Sequence, residues 1–145
     1  MDSTTATQLL TTQLSGQSIN AVSGDTTTIY WNTPTVNINN QFNPASGIFT
    51  ATYTGYYLIS AVTSFTSSAG TVGIILNGNL AITGTSATAS GNAPAPYPAY
   101  SYGVAGLVHM NAGDKLYIQM VRSTTHFSAC VSDGSGSTFS IIRFH

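Results

Sequence analysis

Histidine is the side chain best suited to hold a metal or move a proton near neutral pH, and this sequence has three: His109, His126 and His145. No two stand at H-x-x-x-H spacing, and none belongs to a Cys/His cluster, so the zinc-site patterns are missing. They read as surface or satisfied core histidines. The acidic residues are Asp2, Asp25, Asp114 and Asp133, with no glutamate. Calcium needs several oxygen ligands at once, and these aspartates stand apart in turn-like stretches, so no tight calcium site is expected. Glycosidase chemistry needs a carboxylate pair, which no motif supplies, and no G-x-S-x-G elbow accompanies the many serines. Cys130, among Phe127, Ala129 and Val131, reads as a small buried hydrophobe, with an intermolecular disulfide as the alternative. Catalytic residues, cofactors and an enzymatic activity are not expected.

The stretch Pro94-Ala-Pro-Tyr-Pro-Ala-Tyr-Ser-Tyr102 offers recognition chemistry instead. Prolines stiffen a loop and lower the entropy lost on binding. Tyrosines give flat apolar faces with a hydroxyl handle. Tyr97, Tyr100 and Tyr102 are therefore the candidate ligand-binding residues, for a glycan or a protein, and Tyr97 is the most exposed because proline flanks it on both sides. The plainer reading is an ordered connection whose tyrosines pack on neighbouring strands. Arg143, between Ile142 and Phe144, needs a partner or an anion, or else reaches solvent along its stem.

Composition narrows the classes further. Of 145 residues only 5% are charged, three Lys+Arg and four acidic, for a net charge of −1. Average domains carry about 25%. Three basic residues cannot make a nucleic-acid footprint. Glu/Lys flanks for a coiled coil are missing, and disorder requires more charge and less hydrophobicity than the 42% found here. No apolar run approaches the roughly 20 residues of a membrane helix, so membrane insertion is not expected. The N-terminus lacks the charged and apolar regions of a signal peptide.

The elements that would position these residues are strands. Length fits one domain. Residues 1–20, rich in Thr, Gln and Ser with sparse leucines, read as a lead-in arm or stalk end, or as a short helix over Ala6–Leu14. Residues 21–145 read as the folded head. Thr26–Trp31, Thr35–Ile38, Ile48–Tyr53, Tyr100–Met110, Leu116–Val121, Phe127–Val131 and Thr138–Phe144 have β-branched, aromatic or alternating character. Asn77-Gly78 between Thr71–Leu76 and Leu80–Thr83 is a type I′ hairpin signal. Asn39–Gly47, Asn111–Asp114 and Ser132–Ser137 read as turns. Tyr56–Phe65 is apolar on both faces: Tyr57, Ile59, Ala61 and Phe65 on one side, Tyr56, Leu58 and Val62 on the other. Such a strand must be covered on both faces, which in a two-sheet domain implies a partner subunit on one side. The fold class is an all-β sandwich.

Five segments in order resemble the complement C1q/tumour-necrosis-factor-like superfamily. Phe42-Asn43 with Gly47-Ile48-Phe49-Thr50 is similar to its F-x(4)-G-x-F-T segment, and Gly55–Ile59 to its G-x-Y-x-F strand. Ile74–Leu80 is similar to its Asn-Gly hairpin, Leu107–Ile118 to its L-x-L-x-x-G-D-x-V segment, and Ser137–Ser140 to the start of its closing strand. Ile141 stands where the family usually has glycine, Ile59 where an aromatic is common, and Thr52-Tyr53 where a proline is usual. These departures concern local packing.

The resemblance implies a ten-strand jelly roll that assembles as a homotrimer, in a bacterial or viral type of member. Tyr56, Tyr57, Leu58, Ile59, Phe65, Phe139 and Ile141 are the expected interface and core residues. A three-fold axis turns one ligand into three, which makes His109 a weak metal candidate; no other metal site is expected. The implied role is a non-enzymatic recognition or adhesion head on an extracellular or surface-exposed fibre, meeting a surface glycan or protein. The alternatives are a structural trimer of a spore, capsid or surface coat, and a secreted receptor-binding ligand.

Overall fold

A computed structural model describes residues 6–14, 18–20, 26–65, 71–86, 88–89, 100–121, 129–131 and 137–145. Among these described residues, fourteen strand segments run in chain order: β1 (Ala6–Gln13), β2 (Ser18–Asn20), β3 (Thr26–Thr28), β4 (Thr33–Asn37), β5 (Phe42–Asn43), β6 (Ile48–Thr50), β7 (Gly55–Phe65), β8 (Thr71–Leu76), β9 (Asn79–Ser86), β10 (Thr88–Ala89), β11 (Tyr100–Met110), β12 (Lys115–Val121), β13 (Ala129–Val131) and β14 (Thr138–Phe144). One sheet has the order β10-β11-β7-β14-β1-β4. The other has the order β5-β6-β12-β8-β9, with β3 sharing an edge of β12. β2 and β13 form a separate pair.

The two sheets close over an apolar core. Phe139 sits between Trp31 and Phe42, with ring centroids 5.4 and 5.9 Å away. Phe49 meets Tyr57 edge-on at 6.0 Å. Offset and edge-on pairs of this kind contribute beyond their buried area. Alternation places the layers: Leu116, Ile118 and Met120 of β12 face Tyr57, Ile59 and Ala61 of β7 across the interior, all within 2% of full burial. At one side the sheets approach so closely that a Cβ on Gly84 would lie 2.3 Å from the Gly103 carbonyl oxygen.

The turns follow their residue chemistry. Asn77 and Gly78 have φ of 51° and 83°, the two positive values that a type I′ turn requires. Asp114 caps the β11–β12 turn. Its carboxylate accepts from the Asn111 N–H at 2.8 Å and from the Asn77 side-chain amide Nδ2 at 3.0 Å, while the Asn77 side-chain Oδ1 accepts from the Lys115 N–H at 2.9 Å. These bonds, the Asn77 amide foremost, hold the Asp114 carboxyl below the usual carboxylate range.

One expectation is corrected. Residues 6–14 are neither helix nor lead-in: β1 lies between β14 and β4, with Leu9, Leu10 and Leu14 buried. A register shift between Gln8 and Leu10 inserts an extra residue, so adjacent leucines both turn inward. Thr12, also buried, donates to the Trp31 carbonyl at 2.9 Å, which removes the cost of hiding its hydroxyl.

Candidate functional site

β7 runs through the middle of its sheet, bonded along its whole length to β11 and over seven residues to β14. Its odd-numbered residues Tyr57, Ile59, Ala61 and Thr63 are buried. Its even-numbered residues Tyr56, Leu58 and Val62 face outward and remain 55%, 37% and 41% exposed. Register extends this stripe sideways. Leu58 stands opposite Leu107 and Ile142, and Tyr56 opposite His109 and Phe144. Leu107 is itself 57% exposed.

Beside the ridge, small residues leave a hollow of about 290 Å³ over Ser60–Val62 and Gly103–Ala105. A ridge of leucine and tyrosine next to a shallow hollow is a surface that another protein surface can interlock with. Scattered exposed apolar residues need no explanation, but a contiguous apolar stripe at the centre of a sheet marks an interaction site.

The structure divides the residues expected at the interface and core. Tyr56 and Leu58 lie on the outer face; Tyr57, Ile59, Phe139 and Ile141 are fully buried in the core. Phe65 ends β7, its backbone paired with Tyr100, and its side chain lies outside the described residues. Leu107, Ile142 and Phe144 join the face although the sequence reading did not single them out. The available signal was β11 itself: Val104, Val108 and Met110 alternate inward, yet Leu107 falls on the opposite side.

The other candidates separate in space. His109 is exposed on this outer face and meets the Tyr56 ring edge-on at 5.0 Å. Among the described residues no three His, Cys, Asp or Glu side chains come together. Tyr97 lies outside the described residues. The backbones of Tyr100 and Tyr102 belong to β11, opposite Phe65 and Thr63, and their side chains are outside the described set.

Arg143 does not reach freely into solvent as its position suggested. Its Nη2 donates to the Thr54 carbonyl and its Nη1 to His145 Nδ1, each at 3.1 Å, and the guanidinium lies 5.0 Å from the Tyr53 ring centre. Beside it, the Tyr57 hydroxyl donates to the Tyr53 carbonyl. Burial pushes the Tyr57 phenol up, against the opposing pull of Arg143. These contacts pin the end of β14 to the bend before β7.

The C1q domain model matches residues 14–141. The chain belongs to the C1q domain family. No curated protein matches the sequence. Crystal structures of murine APRIL at pH 8.5 and pH 8.0 superpose with TM-scores of 0.59 and 0.58 at 16% identity; each alignment covers 96% of this chain and 99% of the other. At that identity the likeness concerns the fold alone. The fold is the ten-strand, all-β C1q/TNF-like jelly-roll sandwich. C1q/TNF-like domains are non-enzymatic binding modules, typically trimeric and generally secreted or extracellular, and this C1q domain is not an enzyme.

Proposed function

We propose that this C1q domain is a trimeric recognition head exposed at a bacterial, viral or spore surface, where it binds a surface glycan or protein without chemical transformation. The observation that carries the reading is the outer face of β7, β11 and β14. Tyr56, Leu58, Val62 and Leu107 expose apolar surface at the centre of a sheet, and two further copies of the chain would bury it. Burial of that face is inexpensive because no Lys, Arg or Asp stands on it among the described residues of β7 and β11, so little charge is desolvated on association.

The remaining surface favours recognition by hydrogen bonds and aromatic faces over ion pairs, because 5% charge leaves few ionic contacts to make. The tyrosines Tyr97, Tyr100 and Tyr102 supply such faces within the proline-rich stretch. His109, beside Tyr56, would approach its symmetry mates if the three-fold axis passes near that end of the face.

A glycan and cell-surface panel probed with the purified trimer tests the role. Saturable binding to defined targets, reduced by Tyr97→Ala, is expected. Trimers that bind no target and instead polymerise into sheets would overturn recognition in favour of a coat protein.

A further inference from the structure

A second surface feature lies on the other sheet. A polar cleft of about 380 Å³ opens where the turn Ile38–Asn40, the β5–β6 hairpin and the first residue of β12 meet. Lys115 arrives there because β12 pairs with β6, which places it opposite Thr50. The cleft sits at the edge of the sheet that does not carry the apolar face, so trimer formation through that face leaves it open.

The cleft is built and braced. Gln41 is buried, and both ends of its amide are used: Nε2 donates to the Ile38 carbonyl at 3.1 Å, and Oε1 accepts from the Thr52 N–H at 3.1 Å. Its main-chain carbonyl accepts from the Thr50 N–H at 2.8 Å. Asn39 and Asn40 hold consecutive left-handed conformations, with φ of 56° and 52°. Non-glycine residues adopt that region at a cost, and asparagine more readily than most. Among the described residues, the Asn39 and Asn40 amides and the Thr50 and Thr52 hydroxyls have no hydrogen-bond partner in the fold.

Ligand pockets of about 300–1,000 Å³ are usually lined by apolar groups. This one is lined, apart from Ile48, by amides, hydroxyls and an ammonium group. Amide and hydroxyl groups both donate and accept, which matches the alternating demands of a polyol. Among the described residues Lys115 is the only charged one in the lining, and the neighbouring Asp114 is engaged by Asn77 and Asn111. The cleft therefore suits one negative charge amid many hydroxyls.

We propose that the cleft binds an acidic saccharide unit, its carboxylate on Lys115 and its hydroxyls on Asn39, Asn40, Thr50 and Thr52. The proposal deepens the recognition reading and rests on it for biological purpose, but the binding itself does not depend on the trimer.

The test titrates the full chain with glucuronate, with glucose as the neutral control, and follows backbone amide resonances by NMR while light scattering records the oligomeric state. Glucuronate should shift resonances of residues 39–52 and 115, and glucose should shift them more weakly. Lys115→Gln should weaken glucuronate about tenfold and leave glucose unchanged. Asn40→Asp, which tolerates the left-handed backbone, should also weaken glucuronate by adding a like charge.

Glucuronate shifts absent from these residues, or undiminished binding by Lys115→Gln, would overturn the cleft. In a sample that remains trimeric, that failure leaves the recognition head standing. Glucuronate shifts in a monomeric sample would support the cleft while removing the trimeric head.

Discussion

β7 and β12 each run through the middle of a sheet, and their inner faces are equally apolar. Tyr57, Ile59 and Ala61 on one strand, and Leu116, Ile118 and Met120 on the other, are all buried. Their outer faces differ. β12 presents Lys115, Tyr117 and Gln119, the mixed set of a strand with one side in water. β7 presents Tyr56, Leu58 and Val62, flanked by Leu107 and Ile142. Both strands satisfy the core, so the core cannot explain the difference. The apolar outer face of β7 is surplus to folding of a single chain, and the association proposed above would use it.

The comparison can be broken at several points, the largest first. Phe139→Ala removes the ring that Trp31 and Phe42 share, and a Phe→Ala change in a core costs about 3–5 kcal/mol. Chemical denaturation should show a loss of that size, with fold and assembly lost together. Leu58→Asp should act differently: monomeric mass by light scattering with the β circular-dichroism spectrum retained, whereas Gln119→Asp on the outer face of β12 should change neither. Equal effects from these two substitutions would erase the distinction between the strands.

Gly84→Ala places a carbon 2.3 Å from the Gly103 carbonyl oxygen and 2.8 Å from the Val72 oxygen. Backbone atoms on both sides cannot give way, and overpacking of this kind costs about 1–3 kcal/mol. The denaturant midpoint should fall while the trimer persists at neutral pH. Smallest is the Asp114 effect. Its folded-state pKa lies below the ordinary value, so its contribution is present above the unfolded-state value and disappears as pH falls through the folded one. Urea midpoints measured downward from pH 6 should decline more steeply for the native chain than for Asp114→Asn, which should start slightly lower.

Much of the fold was legible where local chemistry and burial agree. Tyr100–Met110 and Thr138–Phe144 are strands with the expected bounds, and Asn77-Gly78 makes the expected turn. β1 was not legible. Its Thr/Gln-rich composition gives weak strand character, and its bulge brings Leu9 and Leu10 inward together, which breaks the alternation that identifies a strand. The outer face was legible from β7 alone, since Tyr56, Leu58 and Val62 share one side; that Leu107 and Ile142 extend it required the register. The polar cleft was not legible, because the pairing of Lys115 with Thr50 joins residues far apart in sequence.

The central claim is that the outer face of β7 is covered by copies of the same chain. The most direct measurement is the molar mass of the native protein at micromolar concentration by sedimentation equilibrium. The account predicts a single species at three times the chain mass of 15.1 kDa. A stable monomer at that concentration, with Tyr56, Leu58 and Leu107 open to solvent, would contradict it.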